Sequence, residues 1–197
     1  MNRLHRWYCR SRPWKRKLEN EVLPWSLDGI DLGDEVLELG PGPGLTTDWL
    51  RLRYIGVNCI EVDEELARSL GRRTANANVR VQCADATAMP YRDSTFSGAV
   101  AFTMLHHVPS PALQDRLFAE VYRVLRPGGV FAGTDSVQSW LMRMFHICDT
   151  MVLVDPARLR IRLELTGFKD VKVEDGAGRF RFFARRPPQD PDKVTGS

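Results

Sequence analysis

The feature that most constrains this chain is a glycine-rich turn that directly follows a short apolar run. Residues 36–39 read Val-Leu-Glu-Leu, which is typical of a buried strand, and residues 40–44 read Gly-Pro-Gly-Pro-Gly. The periodic run Leu45–Leu50 then indicates the start of a helix. Such a joint presents backbone N–H groups and a helix N-terminus to a ligand, and glycine leaves room for the ligand to approach. The stretch therefore predicts a ligand-binding loop, although Gly-x-Gly-x-Gly alone also occurs in ordinary turns.

Short apolar runs alternate with amphipathic runs from residue 35 to residue 133. The apolar runs predict five strands, which are Glu35–Leu39, Tyr54–Glu61, Val79–Cys83, Gly98–Thr103 and Val130–Gly133. Between them, one predicted helix is capped by Asp63, and another starts at Ser110-Pro111 and ends at Pro127-Gly128-Gly129. After a further helix, Ala157–Leu165, the chain predicts two strands joined by a turn, Phe168–Val173 and Arg179–Arg185. This pattern predicts an α/β fold with a Rossmann-like, doubly wound, mostly parallel sheet and helices on both faces.

The polar residues that could form a site all follow the end of a predicted strand. They are Gly40, Gly42 and Gly44, then Glu61, Asp85 with Ala86, the run Thr103–His107, and Asp135. In a parallel sheet the carboxyl ends of the strands share one edge, and ligands bind in the crevice outside that edge. Five independent placements at one edge therefore predict a single ligand site there.

Glu61 is the residue whose chemistry is easiest to interpret. An acid at the end of the second strand suits the two ribose hydroxyls of an adenosine, because a carboxylate accepts two hydrogen bonds side by side. Asp63 competes for this role. It is better explained as the N-cap of the helix that follows it.

Composition predicts an ordinary globular protein. The chain has 197 residues, 43% of them hydrophobic, which suits one domain or one domain with a small extension. Its four cysteines form no Cys-x-x-Cys pair, which disfavours a zinc site or a disulfide framework and fits a reducing compartment. No apolar run approaches the roughly 18 residues of a membrane span, and no signal peptide is visible. We therefore expect a cytoplasmic protein without a bound metal or a membrane partner.

Basic residues are concentrated at the start of the chain. Residues 1–20 carry seven Lys or Arg and one acid, whereas the formal net charge of the whole chain is only +3. Tryptophans and leucines are interleaved with these arginines, which predicts one or two amphipathic helices broken near Pro13 and Pro24. We predict three parts, which are a helical basic cap or arm over residues 1–29, a main domain over 30–186, and a polar, disordered tail over 187–197.

Residues 137–154 interrupt the alternation of strands and helices. This stretch is apolar with helical spacing, and it contains His146 and Asp149. It is equally compatible with the wall of a substrate pocket, a core helix or a dimer surface.

Together these motifs resemble the class I S-adenosylmethionine-dependent methyltransferases of the small-molecule type, over about residues 34–185. Val36–Gly44 resembles the glycine loop of the family, Glu61 the acid after its second strand, and Asp85-Ala86 its adenine-side acid. Met89–Phe96 resembles the loop before its fourth strand, although Ser97-Gly98 stands where the family usually has an acid. Two further stretches are typical of the family, Leu105–Val108 and Val124–Gly129. The sheet of the family has seven strands with an antiparallel last strand, which the terminal hairpin matches.

The resemblance implies a cofactor site for S-adenosylmethionine, with S-adenosylhomocysteine as the product. The backbone at Gly40, Gly42 and Gly44 would approach the methionine portion. Its amino group would be held with help from Glu38 and from the region of Phe102 and Thr103. Glu61 would bind the ribose, and Asp85 with Ala86 the adenine.

The resemblance also implies in-line displacement, in which an O, N, S or C atom of the acceptor attacks the methyl group. His106 and His107 are the best-placed catalytic candidates because neutral imidazole accepts a proton near pH 7. The alternative is that these histidines only pack or orient a loop. Asp135 and His146 are weaker candidates.

Other functions remain open at this point. A macromolecular methyltransferase could grip RNA or an acidic protein with the basic arm. Nucleic acid is disfavoured, however, because residues 103–106 read Thr-Met-Leu-His rather than the Asn/Asp-Pro-Pro-aromatic signature of many amino-methylating enzymes. A cofactor-binding regulator or a cyclase on the same fold is a second alternative, and a nicotinamide dehydrogenase fits poorly. The sequence identifies neither the methyl acceptor nor the oligomeric state, which we leave as monomer or homodimer.

Overall fold

A computed structural model of the protein describes residues 11–137 and 151–189. This part of the chain contains one sheet of seven strands in the order β3-β2-β1-β4-β5-β7-β6. The strands are β1 Glu35–Leu39, β2 Gly56–Glu61, β3 Val79–Cys83, β4 Phe96–Phe102, β5 Leu125–Ser136, β6 Lys169–Gly176 and β7 Arg179–Arg185. The first five are parallel to one another, and β7 is antiparallel to both of its neighbours. The predicted doubly wound, mostly parallel sheet with an antiparallel last strand is thereby confirmed.

Helices cover both faces of the sheet. They are α1 Arg12–Lys17, α2 Leu23–Ser26, α3 Leu45–Leu50, α4 Glu64–Arg73, α5 Pro111–Val124 and α6 Pro156–Thr166, with a π-helical turn at Leu18–Val22 and a 3₁₀ turn at Leu105–His107. Within the two described ranges, no helix is both long enough and apolar enough to cross a membrane.

Two apolar clusters hold the layers together, one on each face of the sheet. Because side chains alternate along a strand, Val36 of β1 lies in one cluster and Leu37 in the other. The Val36 cluster also contains fully buried Leu23 of α2 and Leu50 of α3, whereas the Leu37 cluster includes Phe118 of α5. Burial of each such side chain contributes roughly 1.5–3 kcal/mol relative to exposure. The sheet edge that carries the candidate residues is therefore held from both sides.

The N-terminal helices differ from the prediction at Pro24. Residues 12–26 form one continuous helical stretch, so the prediction of a break at Pro24 is wrong. The stretch widens into the π-helical turn just before Pro24, and the Leu23 N–H donates to Leu18 O, five residues earlier. This wider turn relieves the clash that a proline ring makes inside an α-helix. The other proline, Pro13, lies in the first turn of α1, where proline is tolerated.

The described part of the predicted N-terminal arm packs on the sheet. Leu18 and Val22 are buried in the Val36 cluster, and the Arg181 guanidinium of β7 donates to Trp25 O at 2.6 Å. The division of the chain at residues 29 and 187 stays a prediction.

The largest error in the predicted boundaries concerns β5. Pro127-Gly128-Gly129 was expected to end a helix, but α5 already ends at Val124 and these residues lie within β5. Phe96 of β4 pairs with Leu125 of β5, and Gly98 pairs with Val130. Over this interval β4 advances by two residues and β5 by five, so the three extra residues of β5 form a bulge. The other elements begin or end within about three residues of their predicted bounds, which is the usual accuracy for element boundaries.

Candidate functional site

The glycine loop lies at the carboxyl edge of the sheet, where the strand order reverses. From β1 the chain runs outward through β2 to β3 and then returns to β4 on the other side of β1. Gly40, Gly42 and Gly44 all have positive φ, at +58°, +55° and +82°. A Cβ on Gly42 would meet nothing within 4 Å, whereas one on Gly44 would lie 2.5 Å from a methyl carbon of Leu70. The loop thus packs against α4 at Gly44 and leaves open space at Gly42.

Hydrogen bonds fix the glycine loop from behind. The Gly40 N–H donates to Ile60 O at 2.9 Å, and the Gly44 N–H donates to Pro41 O at 2.9 Å. Arg73, at the end of α4, donates to Pro43 O at 3.1 Å and to Gly44 O at 3.2 Å. Sequence analysis missed Arg73, because no local pattern indicates a contact across about 30 residues.

Glu38 lies beneath the loop. Its carboxylate is buried and accepts hydrogen bonds from the hydroxyls of Thr46 and Thr47 in the first turn of α3, the second at 2.6 Å. Burial raises the pKa of Glu38 despite these bonds. The observed contacts join the end of β1 to the start of α3 on either side of the glycine loop. The two threonines were also missed, although adjacent hydroxyls at a helix start are a signal that could have suggested a partner.

Glu61 reaches the same loop from β2. Its Oε2 accepts from the Gly42 N–H at 2.9 Å, and its Oε1 accepts from the Asp63 N–H at 3.0 Å. Asp63 caps α4 by accepting from the backbone of Glu65 and Leu66, as predicted. Val62 lies between these two acids and is 72% exposed. Sequence analysis did not single out this apolar side chain, because it reads as the end of a strand.

Asp85 follows β3 at the same edge and is exposed, with half-buried Ala86 next to it. The Asp85 Oδ1 accepts from the Thr87 N–H at 2.8 Å and so forms a turn. The loop that follows is held from α5, where Glu120 accepts from the Met89 N–H at 2.6 Å. Hydrogen bonds from Arg123 lower the pKa of Glu120 and keep it an acceptor.

Thr103 directly follows β4 in an unusual conformation. Its φ is +52°, which is an outlier for a β-branched residue and costs on the order of 1–3 kcal/mol. Its N–H donates to Thr134 O at 2.8 Å, a bond that helps to hold this backbone. Strain of this kind concentrates at functional sites. That the region of Phe102 and Thr103 belongs to the site stays a prediction.

The two histidine candidates have different surroundings. His106 is 2% exposed, and its Nδ1 lies 2.6 Å from Oδ1 of Asp135 at the end of β5. The His106 N–H also donates to Oδ2 of Asp135, at 3.1 Å. His107 is half-buried, and its ring centroid lies 4.2 Å from that of His106. The weaker candidate Asp135 is therefore the direct partner of His106.

Electrostatics favour the ionised form of Asp135. Burial alone would raise the pKa of Asp135, but the charge and hydrogen bond of His106 and the backbone N–H of Ser136 lower it instead. An ionised Asp135 can only accept hydrogen bonds, so the Nδ1 of His106 carries a proton. The remaining candidate, His146, and most of the stretch 137–154, for which a pocket wall, a core helix and a dimer surface were left open, lie outside the described residues.

The structure thus brings most of the predicted site residues to one edge of the sheet. The glycine loop, Glu61 and Asp85 follow β1, β2 and β3, whereas Thr103, the two histidines and Asp135 follow β4 and β5. Across the described ranges, no three His, Cys, Asp or Glu side chains are grouped as a metal site would require. The residues that follow β1, β2 and β3 and the histidine-containing residues that follow β4 and β5 therefore share one edge of the sheet.

Comparison with known proteins identifies the class. The profile of a family described as "Methyltransferase domain" matches residues 37–133, which run from β1 into β5. The O-methyltransferase cnsE of Penicillium expansum is 32% identical over 156 residues, which cover 73% of this chain and 55% of that protein. The tRNA (carboxymethyluridine(34)-5-O)-methyltransferase of Arabidopsis thaliana is 27% identical over 105 residues, 52% of this chain and 24% of that protein.

A solved structure shares the fold. A SAM-dependent methyltransferase from Aquifex aeolicus superposes with a TM-score of 0.72 at 18% identity, over 94% of this chain and 99% of that one. The chain belongs to the class I S-adenosylmethionine-dependent methyltransferases. Within that class, it spans about half the length of the O-methyltransferase and about a quarter of the tRNA enzyme.

Proposed function

We propose that this chain transfers the methyl group of S-adenosylmethionine to an O, N, S or C atom of a small molecule. The observation that carries the proposal is the glycine loop at the reversal of strand order, with open space at Gly42 and the Glu61 carboxylate beside it. Any side chain at Gly42 would fill the open space, so the loop fits a ligand that approaches the backbone.

Each half of the cofactor has matching groups. Glu61 would accept from the ribose hydroxyls, because a carboxylate has about four acceptor positions and, among the described residues, it accepts from two backbone N–H groups. The exposed apolar side chain of Val62 would pack on the adenine, which Asp85 and the Ala86 N–H would recognise at its polar edge. The glycine backbone would approach the methionine portion. Glu38 would contribute by holding the loop through Thr46 and Thr47, more than by direct contact with the amino group.

When bound, S-adenosylmethionine supplies a methyl group on a positively charged sulfur, which needs alignment more than further activation. The protein would orient the acceptor and exclude water from the crevice. Where the acceptor atom must lose a proton, His107 is our candidate for the base, because it is less buried than His106. Asp135 would act as a positioning residue that orients His106, whose ring lies next to that of His107.

A small acceptor is favoured over RNA by the residues after β4. The described site contains Thr103, Met104 and His106 there, and not a proline-aromatic pair that would hold a flat base. The tRNA methyltransferase among the relatives makes RNA the alternative to test. We also propose that the protein acts in the cytoplasm, without a membrane partner, as a monomer or homodimer.

Calorimetric titration tests this function. We expect S-adenosylmethionine and S-adenosylhomocysteine to bind with micromolar dissociation constants and NAD not to bind. Transfer from radiolabelled S-adenosylmethionine should then be measured with a panel of small phenols, amines and thiols, and with bulk tRNA. Failure of both sulfur nucleotides to bind would contradict the proposal. Labelling of tRNA alone would show that the acceptor is RNA and not a small molecule.

Loss of the Arg73 side chain should loosen the glycine loop. We expect Arg73→Gln to weaken S-adenosylhomocysteine binding about fivefold, because two bonds to loop carbonyls disappear at a partly exposed site where ionic contributions are small. The measurement is the same titration, with Arg72→Gln as the matched control on the same helix. Equal affinities in the two variants would show that Arg73 does not support the loop.

A further inference from the structure

Gln114 of α5 connects two separate pieces of backbone inside the protein. It is fully buried, and its Nε2 donates to Leu105 O at 3.2 Å and to Val152 O at 2.8 Å. The Val152 N–H in turn donates to His106 O at 2.8 Å. The Val152 N–H is therefore bonded directly to the turn Leu105–His107, which we call the histidine turn. The Val152 carbonyl is connected to the same turn through Gln114.

Arg162 of α6 fixes the orientation of this amide. Its Nη1 donates to Oε1 of Gln114 at 2.9 Å, and a guanidinium has no acceptor. The oxygen of Gln114 must therefore face Arg162, which turns its NH₂ group toward the two carbonyls. Arg162 is itself held by Asp115 at 2.7 Å and by Pro111 O at 2.8 Å. The direction of every bond in this set is thus determined.

The two connected pieces lie on the β4 and β5 side of the crevice. The cofactor groups Glu61 and Asp85 follow β2 and β3, on the other side of the glycine loop. The turn Leu105–His107 follows β4, and residues 151–155 directly precede α6. If the cofactor groups bind as proposed, this second side is the one that an acceptor would approach.

A buried polar network in an otherwise apolar layer has a desolvation cost, which calls for an explanation. Leu117 and Phe118 of the same helix are buried in the apolar cluster, and an apolar residue at position 114 could fill the space without the desolvation of an amide. Networks in which every member is satisfied rigidify and specify one arrangement. Gln114 therefore supplies a donor to two backbone carbonyls that an apolar residue would not bond, and it fixes the position of one relative to the other.

We propose that Gln114 is a positioning residue for methyl transfer, which together with Arg162 holds the histidine turn and residues 151–155 as one unit beside the acceptor. This inference rests on the proposed function, since it assigns the second side of the crevice to the acceptor. Gln114 acts through the backbone of Leu105 and Val152.

Amide hydrogen exchange, followed by NMR, tests the connection. In Gln114→Met, an apolar residue of similar length, we expect the Val152 amide to exchange about tenfold faster, as loss of a buried hydrogen bond predicts. Phe131 in the centre of β5 should keep its protection, and S-adenosylhomocysteine affinity should stay within about twofold of the parent. Arg116→Met, an exposed position on the same helix, is the matched control and should change neither readout.

Variants of Arg162 provide a second route that leaves Gln114 in place. Arg162→Leu keeps an apolar stem but removes every donor, so we expect the same faster exchange at Val152. Arg162→Lys retains one donor for Oε1 of Gln114 and should restore most of the protection. Arg160→Leu, an exposed neighbour on α6, controls for loss of a surface arginine.

Two results would overturn the inference while the proposed function stands. One is unchanged Val152 exchange in Gln114→Met and Arg162→Leu, and the other is an equal loss of protection at Val152 and Phe131, which would mean a role in global stability alone. Failure of the parent to bind S-adenosylhomocysteine would instead overturn the proposed function, and the positioning role in transfer with it.

Discussion

The substitution Glu61→Ala is expected to weaken binding of S-adenosylhomocysteine by about 1–3 kcal/mol, or roughly five- to 150-fold. Glu61, at the end of β2, is only 6% exposed, and its carboxylate accepts from the Gly42 N–H. Its loss would remove charge-assisted hydrogen bonds to the ribose, and it would also free the Gly42 N–H from its acceptor. The measurement is calorimetric titration, with Glu64→Ala as the control for an acid lost from the same region.

A ligand lacking one hydroxyl separates these two effects. 2′-Deoxy-S-adenosylhomocysteine should bind the parent more weakly than the complete ligand, because one hydrogen bond to Glu61 is lost. The affinity for this deoxy ligand should fall little further in Glu61→Ala. Combining the loss of the hydroxyl with the loss of the carboxylate in a double-mutant cycle isolates the contact between the two groups. If Glu61→Ala folds and binds both ligands as the parent does, the ribose assignment is wrong and Asp63 becomes the candidate.

The sheet and its functional edge could be predicted because their signals are local. The alternation of apolar residues marked β1 to β4, and glycine together with strand ends marked the site. Asp63 was recognised as an N-cap from the residues next to it, and the structure confirms that role. The same local reasoning identified His106 and Asp135, but not that they form a pair.

Contacts between distant residues carry no such signal. His106 and Asp135 are 29 residues apart, as are Arg73 and Gly44. Gln114 meets Val152 across 38 residues, and in sequence it is one polar residue on an amphipathic helix. Only the packed fold decides which polar side chains of a helix turn inward to a partner.

Two errors have a common physical origin. Pro24 and the run Pro127–Gly129 were interpreted as terminators, because proline and glycine usually end regular elements. Tertiary contacts override this tendency in both places. The π-helical turn and the bond from Arg181 to Trp25 O hold the helical stretch at Pro24. The bulge opposite β4 keeps the second run inside β5, where the Arg185 side chain of β7 donates to Gly128 O at 3.0 Å.

Asparagine at position 135 is expected to lower the free energy of unfolding by about 2–4 kcal/mol at neutral pH. Asp135 is 1% exposed and accepts from the backbone of His106 and Ser136 as well as from the His106 ring. Asparagine keeps the shape but removes the charge, and its NH₂ group cannot accept from any of these donors. Urea unfolding followed by circular dichroism measures the loss, and Asp175→Asn at an exposed position is the matched control.

The cost of Asp135→Asn should depend on pH in a defined direction. The pKa of Asp135 is lower in the folded protein than its ordinary value of 3.8, so the unfolded chain binds more protons in the interval between the two. The contribution of the ionised carboxylate is therefore complete above about pH 4 and is lost as the pH falls through the folded value. Above about pH 4 the parent should be more stable than the variant, and the two should converge as the pH falls below that value. A difference that stays constant from about pH 4 down to pH 3, or one that grows over that interval, would show that the carboxylate charge is not what stabilises the His106 turn.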